Sequence, residues 1–198
     1  MSVVYALATP AVKSAICIFR VSGEGCHDYI SEIFGLDSPQ PRRFLLCDLK
    51  NNETFIDRVG LILFKGPESY TGEDSFEVYA HGSLGVMSLI VDLFDGKGFD
   101  QASPGEFTKR AFINDKINLN EAESLSDFIE SASSREVFLT GASLFGDLSK
   151  KLSDFSERIN LLRVRVEAEI DFSDEGQVFM DGSLSNDLSL LIEDFGSF

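Results

Sequence analysis

All five prolines of this chain, Pro10, Pro39, Pro41, Pro67 and Pro104, fall within its first 104 residues, whereas from Phe145 to Ile170 an apolar side chain recurs every three or four positions. One regular architecture does not tolerate both patterns. Proline fixes φ and removes the amide donor that a helix interior or a central strand requires, while a period of three and four is the stripe of a long helix. The sequence therefore predicts two modules, an α+β part over residues 1–117 and a helical part over residues 118–198. Most of the net charge of −16 sits in the second, shorter part, as two modules of different composition would have it.

Within the first part, "VVYALAT" (3–9), "AICIFRVS" (15–22), "RRFLLCDL" (42–49), "RVGLILFK" (58–65) and "SFEVYAH" (75–81) read as strands, with a turn at "NNET" (51–54). Two helices fit between them, over 25–35 and 84–96. Ser103-Pro104-Gly105-Glu106 has the spacing of a capping box and predicts a short helix to about Ile113. Asn118 with Glu121 and Ser133 with Glu136 repeat that spacing and mark two further helix starts. The seam Phe145, Leu148, Leu152, Phe155, Ile159, Leu162, Val166 and Ile170 then predicts one long helix, with Lys150, Lys151, Glu157 and Arg158 on its solvent face. "DFSDEGQ" (171–177) is expected to end it, and a last helix is expected over 184–195. So few helices with apolar seams do not make a self-contained bundle, which implies a piece of a longer protein or an oligomer.

With 43% hydrophobic and 25% charged residues the chain has the composition of a globular protein with a core. Its acidity argues against independent nucleic-acid binding, leaving a local basic patch or a partner to do that. Cys17, Cys26 and Cys47 lack metal-ligand spacing, and only His27 and His81 could join them, so no metal site is expected and a reducing, cytoplasmic compartment is. No run of apolar residues is long enough to span a membrane. Nor does any stretch have the Gly-x-x-x-x-Gly-Lys-Ser/Thr spacing that cradles phosphates; Asp57-x-x-Gly60 is a coincidence inside a strand.

"SYTGEDSFEVYAHG" (69–82), "SPGEFTKRAFINDKINLNEAESLSDFIES" (103–131) and "VEAEIDFSDE" (166–175), with "ATP" (8–10) and "RVSG" (20–23), resemble the MnmE (TrmE) family of tRNA-modification GTPases, in the family's order and separation. The resemblance implies a one-carbon-transferase-like folate-binding domain followed by the first part of a helical domain. The GTPase domain, with its GTP, potassium and magnesium, would lie outside residues 1–198. It implies a homodimer that binds a tetrahydrofolate one-carbon derivative (5-formyl- or methylene-tetrahydrofolate) and works with a flavin-dependent MnmG-type partner on carbon 5 of the tRNA wobble uridine. The chain departs from the family in two glycine-rich turns, where it has Ala11, Val12, Ser14, Ala15 and Cys17, and Ser83. A dimerisation module without folate, or an independent aminomethyltransferase-like enzyme, are the alternatives.

Arg20, Glu77 and Lys116 match the family's folate-contacting positions. A carboxylate accepts with two oxygens, as the adjacent ring N–H and amino group of a reduced pterin require, and Arg20 or Lys116 would meet the carboxylates of the folate tail or the oxygen of the one-carbon group. Glu77 stands between Phe76 and Val78 in an apolar strand and calls for a partner. The plainer reading is that it faces solvent or pairs with Arg20. Lys109 and Arg110 are read as solvated helix residues with a possible substrate or RNA role, His81 as a hydrogen-bonded turn histidine, and the cysteines as packing residues. No residue is assigned a catalytic role.

Overall fold

The computed structural model of the chain describes residues 2–145, 147–173 and 183–196, and the chain divides into two compact units, Met1–Leu119 and Asn120–Phe198. The first is α+β. Strands β1 (Val4–Leu7), β2 (Ser14–Ser22), β3 (Leu45–Asn51), β4 (Thr54–Phe64), β5 (Ser75–Gly82) and β6 (Asp100–Gln101) form one sheet in the order β3-β4-β5-β2-β1-β6. All neighbours are antiparallel except β1 and the two-residue β6, which no sequence pattern marked. Strand β4 begins earlier than expected because Asn52, at φ 53°, turns the chain tightly enough for Asn51 to pair with Thr54.

Side chains alternate across the sheet. Phe19, Val21, Leu61, Leu63, Phe76 and Val78 point to one face, where Ile30 and Ile33 of α1 (Ile30–Phe34) and Ile90 and Phe94 of α2 (Leu84–Gly96) cover them. The Phe94 ring centres this core, meeting Tyr5, Phe19, Phe76 and Phe99 at centroid distances of 5.2–6.2 Å. The Tyr5 hydroxyl, buried with them, donates to Asp95 Oδ1 at 2.6 Å.

Helix α3 (Glu106–Ile113) does not use the expected capping box. Its N-cap is Gly105 at φ 75°, and Ser103 takes part through its carbonyl, which accepts from the Glu106 amide at 3.0 Å. The Glu106 carboxylate is engaged by Arg110 instead, so it does not turn back to the chain entering the helix.

The second unit holds α4 (Leu119–Glu130) from its second residue onward, α5 (Ser134–Leu144), α6 (Asp147–Ser173) and α7 (Ser183–Gly196). Here the capping box at Ser133 and Glu136 forms as read. Phe128 and Phe145 meet edge to face at 5.7 Å, as do Phe155 and Phe195 at 5.5 Å. The seam of α6 is less buried than its period suggested: Phe155 is buried, whereas Ile159 and Ile170 are exposed. Arg158, expected on the solvent face, pairs with Asp194 of α7 at 2.8 Å. The Leu148 and Leu152 side chains and residues 174–177 of the expected helix end lie outside the described residues.

One glycine near the start of the chain carries a steric prediction. Gly23 follows β2 at φ 144°, and a Cβ there would lie 2.7 Å from both the Ser2 carbonyl oxygen and the Val3 Cα. Both neighbours are backbone and cannot swing aside. Gly23→Ala should therefore destabilise the fold by about 1–3 kcal/mol, measured by urea unfolding followed by circular dichroism; an unchanged midpoint would contradict this packing.

Candidate functional site

The face of the sheet away from α1 and α2 carries the charges. The β2–β5 register places Arg20 opposite Glu77. Both Nε and Nη2 of Arg20 donate to Glu77 Oε1, at 2.9 and 2.7 Å, and the Tyr79 hydroxyl donates to Oε2 at 2.8 Å. Burial, then the hydrogen bond to Glu77 and its charge, push the Tyr79 phenol above its ordinary pKa. The Arg20 guanidinium lies over two aromatic rings, 5.3 Å from the centroid of Tyr70 and 5.7 Å from that of Phe107. The result is a two-oxygen acceptor beside a cation and two flat apolar surfaces. Such a set can hold a planar heterocycle that presents adjacent N–H donors.

Tyr70 belongs to the loop 65–74 between β4 and β5, and α3 with the turn after it grips that loop along its length. The Tyr70 hydroxyl is 3.1 Å from Thr108 Oγ1, Asn114 Nδ2 donates to the Thr71 carbonyl at 2.6 Å, and Lys116 Nζ donates to the Pro67 carbonyl at 2.8 Å. Gly72, at φ 77°, lets the loop lie against this helix end, since a Cβ there would meet Asn114 Cβ at 3.0 Å and Lys116 Cγ at 3.3 Å.

Of the three residues marked in the sequence, Arg20 and Glu77 are thus brought together, in the mutual pairing that was the plainer reading. Lys116 reaches the same loop through the Pro67 carbonyl. Arg110 is a correction. It is not a solvated helix residue with a free charge: its side chain is 3% exposed, donating from Nη1 to Glu73 Oε2 at 2.9 Å and from Nε to Glu106 Oε1 at 3.1 Å. An ion so fully removed from water survives only with such partners. Lys109 is exposed, 3.8 Å from Glu106.

His81 is hydrogen-bonded as read. Its ring Nδ1 and its amide both meet the buried Asp57 carboxylate at 2.8 Å, while the ring itself stays open to solvent. Sequence reasoning passed over Tyr70, Tyr79 and Phe107 as site residues. Tyr79 had a signal, standing two residues after Glu77 and hence on the same face; Tyr70 and Phe107 are brought to Arg20 by the fold alone. The altered glycine turns leave the pair in place. The irregularity of the β2–β5 ladder is confined to Ser14–Cys17, and from Cys17 to Ser22 the register is continuous.

Comparison with known proteins agrees with the α+β fold. Residues 3–116 match the family model described as GTP-binding protein TrmE N-terminus. The chain belongs to the TrmE family. It is 39% identical over 191 residues to the tRNA modification GTPase MnmE of Legionella pneumophila (strain Corby), covering 96% of this chain and 43% of that protein. Proteins of the same name from Maricaulis maris (strain MCS10), 38% identical over 88% of the chain, and Nitrosococcus oceani, 40% identical over 89%, are similar to it. The chain spans 38–43% of the length of these TrmE-family relatives. No helix among the described residues is long and apolar enough to cross a membrane.

The cysteines of this TrmE-family chain offer no nucleophile. All three are buried, and burial raises each thiol, Cys26 to about 12 and Cys47 to about 11. Ellman's reagent at pH 8 should accordingly find no rapidly reacting thiol in the folded protein and three after unfolding in guanidinium. A fast stoichiometric reaction of the native chain would show a thiolate that this packing forbids.

Proposed function

We propose that the chain is the folate-binding part of a tRNA wobble-uridine carbon-5 modification GTPase, and that Arg20, Glu77 and Lys116 hold a tetrahydrofolate one-carbon derivative. The observation that carries this reading is the outward-facing Glu77 carboxylate, whose two oxygens already accept from donors of two side chains, Arg20 and Tyr79. The adjacent ring N–H and amino group of a reduced pterin offer the same pair of donors. Tyr70 and Phe107 suit its flat ring, and a folate tail brings carboxylates to which Lys116 is complementary. The folate supplies the carbon unit when bound. The residues of this chain bind and orient it, and none of them is placed in a covalent step.

Two further readings go with the family. The chain acts as a homodimer, a reading supported by Ile16, Phe44 and Leu46, apolar residues 57–73% exposed on and beside the outer face of the sheet. GTP hydrolysis, tRNA recognition and cooperation with a flavin-dependent MnmG-type partner in the cytoplasm are properties of the longer protein. In that assembly this chain supplies the carrier site.

Glu77→Gln keeps the size of the side chain but turns a donor amide toward the donors of the pterin. Calorimetric titration with 5-formyltetrahydrofolate should show binding weakened by about 1–3 kcal/mol, with the thermal midpoint of the protein little changed. Equal affinities would remove Glu77 from the site. Absence of binding by the unaltered chain would favour a dimerisation module that has lost folate.

A further inference from the structure

We infer that Arg110, buried three residues after Phe107 on α3, is a positioning residue that sets the loop carrying Tyr70. The functional consequence of this role rests on the folate reading, and its geometry does not. Arg110 Nη1 donates to three oxygens from three separate segments: the Ser2 carbonyl at 2.9 Å, the Ser22 carbonyl at 3.4 Å and Glu73 Oε2 at 2.9 Å. Its Nε holds Glu106 at 3.1 Å within α3. Glu73 lies in the 65–74 loop, and Ser22 ends the strand that bears Arg20 two residues earlier. One guanidinium therefore ties together helix, loop and strand.

The contact is extended by hydroxyls. Ser22 Oγ donates to the same Glu73 oxygen at 2.9 Å and lies 2.7 Å from Thr71 Oγ1, and the Glu73 amide reaches Thr71 Oγ1 at 3.3 Å. Thr71 adjoins Tyr70, the ring that lies on Arg20. The order of dependence is then Arg110 to Glu73, Glu73 and Ser22 to Thr71, and Thr71 to the placement of Tyr70. Among the described residues no buried side-chain nitrogen or oxygen lacks a partner, so loss of the Arg110 guanidinium would leave the Glu73 carboxylate, 11% exposed, without its charge partner. That carboxylate would be drawn to water, and its loop with it. Lysine cannot replace the fork, because one ammonium does not reach Glu106 and Glu73 while also holding both carbonyls.

The test has two arms. Because the chain contains no tryptophan, Tyr70→Trp gives a single emission reporter on the loop. Adding Arg110→Met, or the isosteric Glu73→Gln should Arg110→Met fail to fold, is expected to shift its emission to the red and raise iodide quenching. Far-UV dichroism and cooperative unfolding should be retained. With Tyr70 restored, each substitution should weaken 5-formyltetrahydrofolate about tenfold, and the double variant no more than either single one, the mark of residues acting through one contact. Arg110→Lys should not rescue binding. An unmoved reporter, or losses that multiply in the double variant, overturns the inference. If the unaltered chain binds no folate, the proposed function fails while the reporter arm still decides the role of Arg110.

Discussion

The pairing of β2 with β5 in one register is the constraint on which both the core and the site depend. With Phe19 opposite Val78 and Val21 opposite Phe76, four apolar residues enter the core together, and Arg20 falls opposite Glu77 on the other face. Because side chains alternate with a period of two, a slip of β2 by one residue against β5 would drive Arg20 into the aromatic core around Phe94 and expose Phe19 and Val21. Burying one such side chain contributes about 1.5–3 kcal/mol. The hydrophobic effect thus fixes the register, and the juxtaposition of opposite charges follows from it without needing to stabilise the fold itself.

The Arg20–Glu77 and Arg110–Glu73 ion pairs differ in consequence. Arg20 keeps a third of its side chain exposed although Glu77 keeps only 14%, so their pairing is partly screened from the Arg20 side. Arg110 and Glu73 are almost wholly withdrawn from water, and breaking such a pair from one side costs roughly 3–5 kcal/mol, even where the pair as a whole adds little to stability. The same chemistry thus makes a half-open pair at one place and a closed tie at another. What separates them is burial beneath α3, whose Ala111 is fully buried beside Arg110.

Local pattern carried much of this in advance. The strand runs gave β2 and β5, the space between strands gave α2, helical period gave α6, and the cap at Ser133 formed as its spacing requires. Arg20 and Glu77 were legible through the resemblance to the family, and Glu77 also as a charge interrupting an apolar strand. The role of Arg110 was not, since "TKRAF" reads as an exposed helix turn until the loop 65–74 and Ser2 close over it from distant positions in the chain. The Ser103 cap failed for a similar reason: Arg110 engages the Glu106 carboxylate that the box would have used. Strand β6 is two residues long and exists only because β1 lies beside it.

The most direct measurement of the central claim is a crystal structure of the chain with 5-formyltetrahydrofolate bound. The account predicts the pterin on the outer face of the sheet, its two adjacent donors on the Glu77 oxygens, with Arg20 turned away from Glu77 toward the ligand and Tyr70 or Phe107 against the ring. A folate seated elsewhere, with the Arg20–Glu77–Tyr79 hydrogen bonds intact, would contradict it.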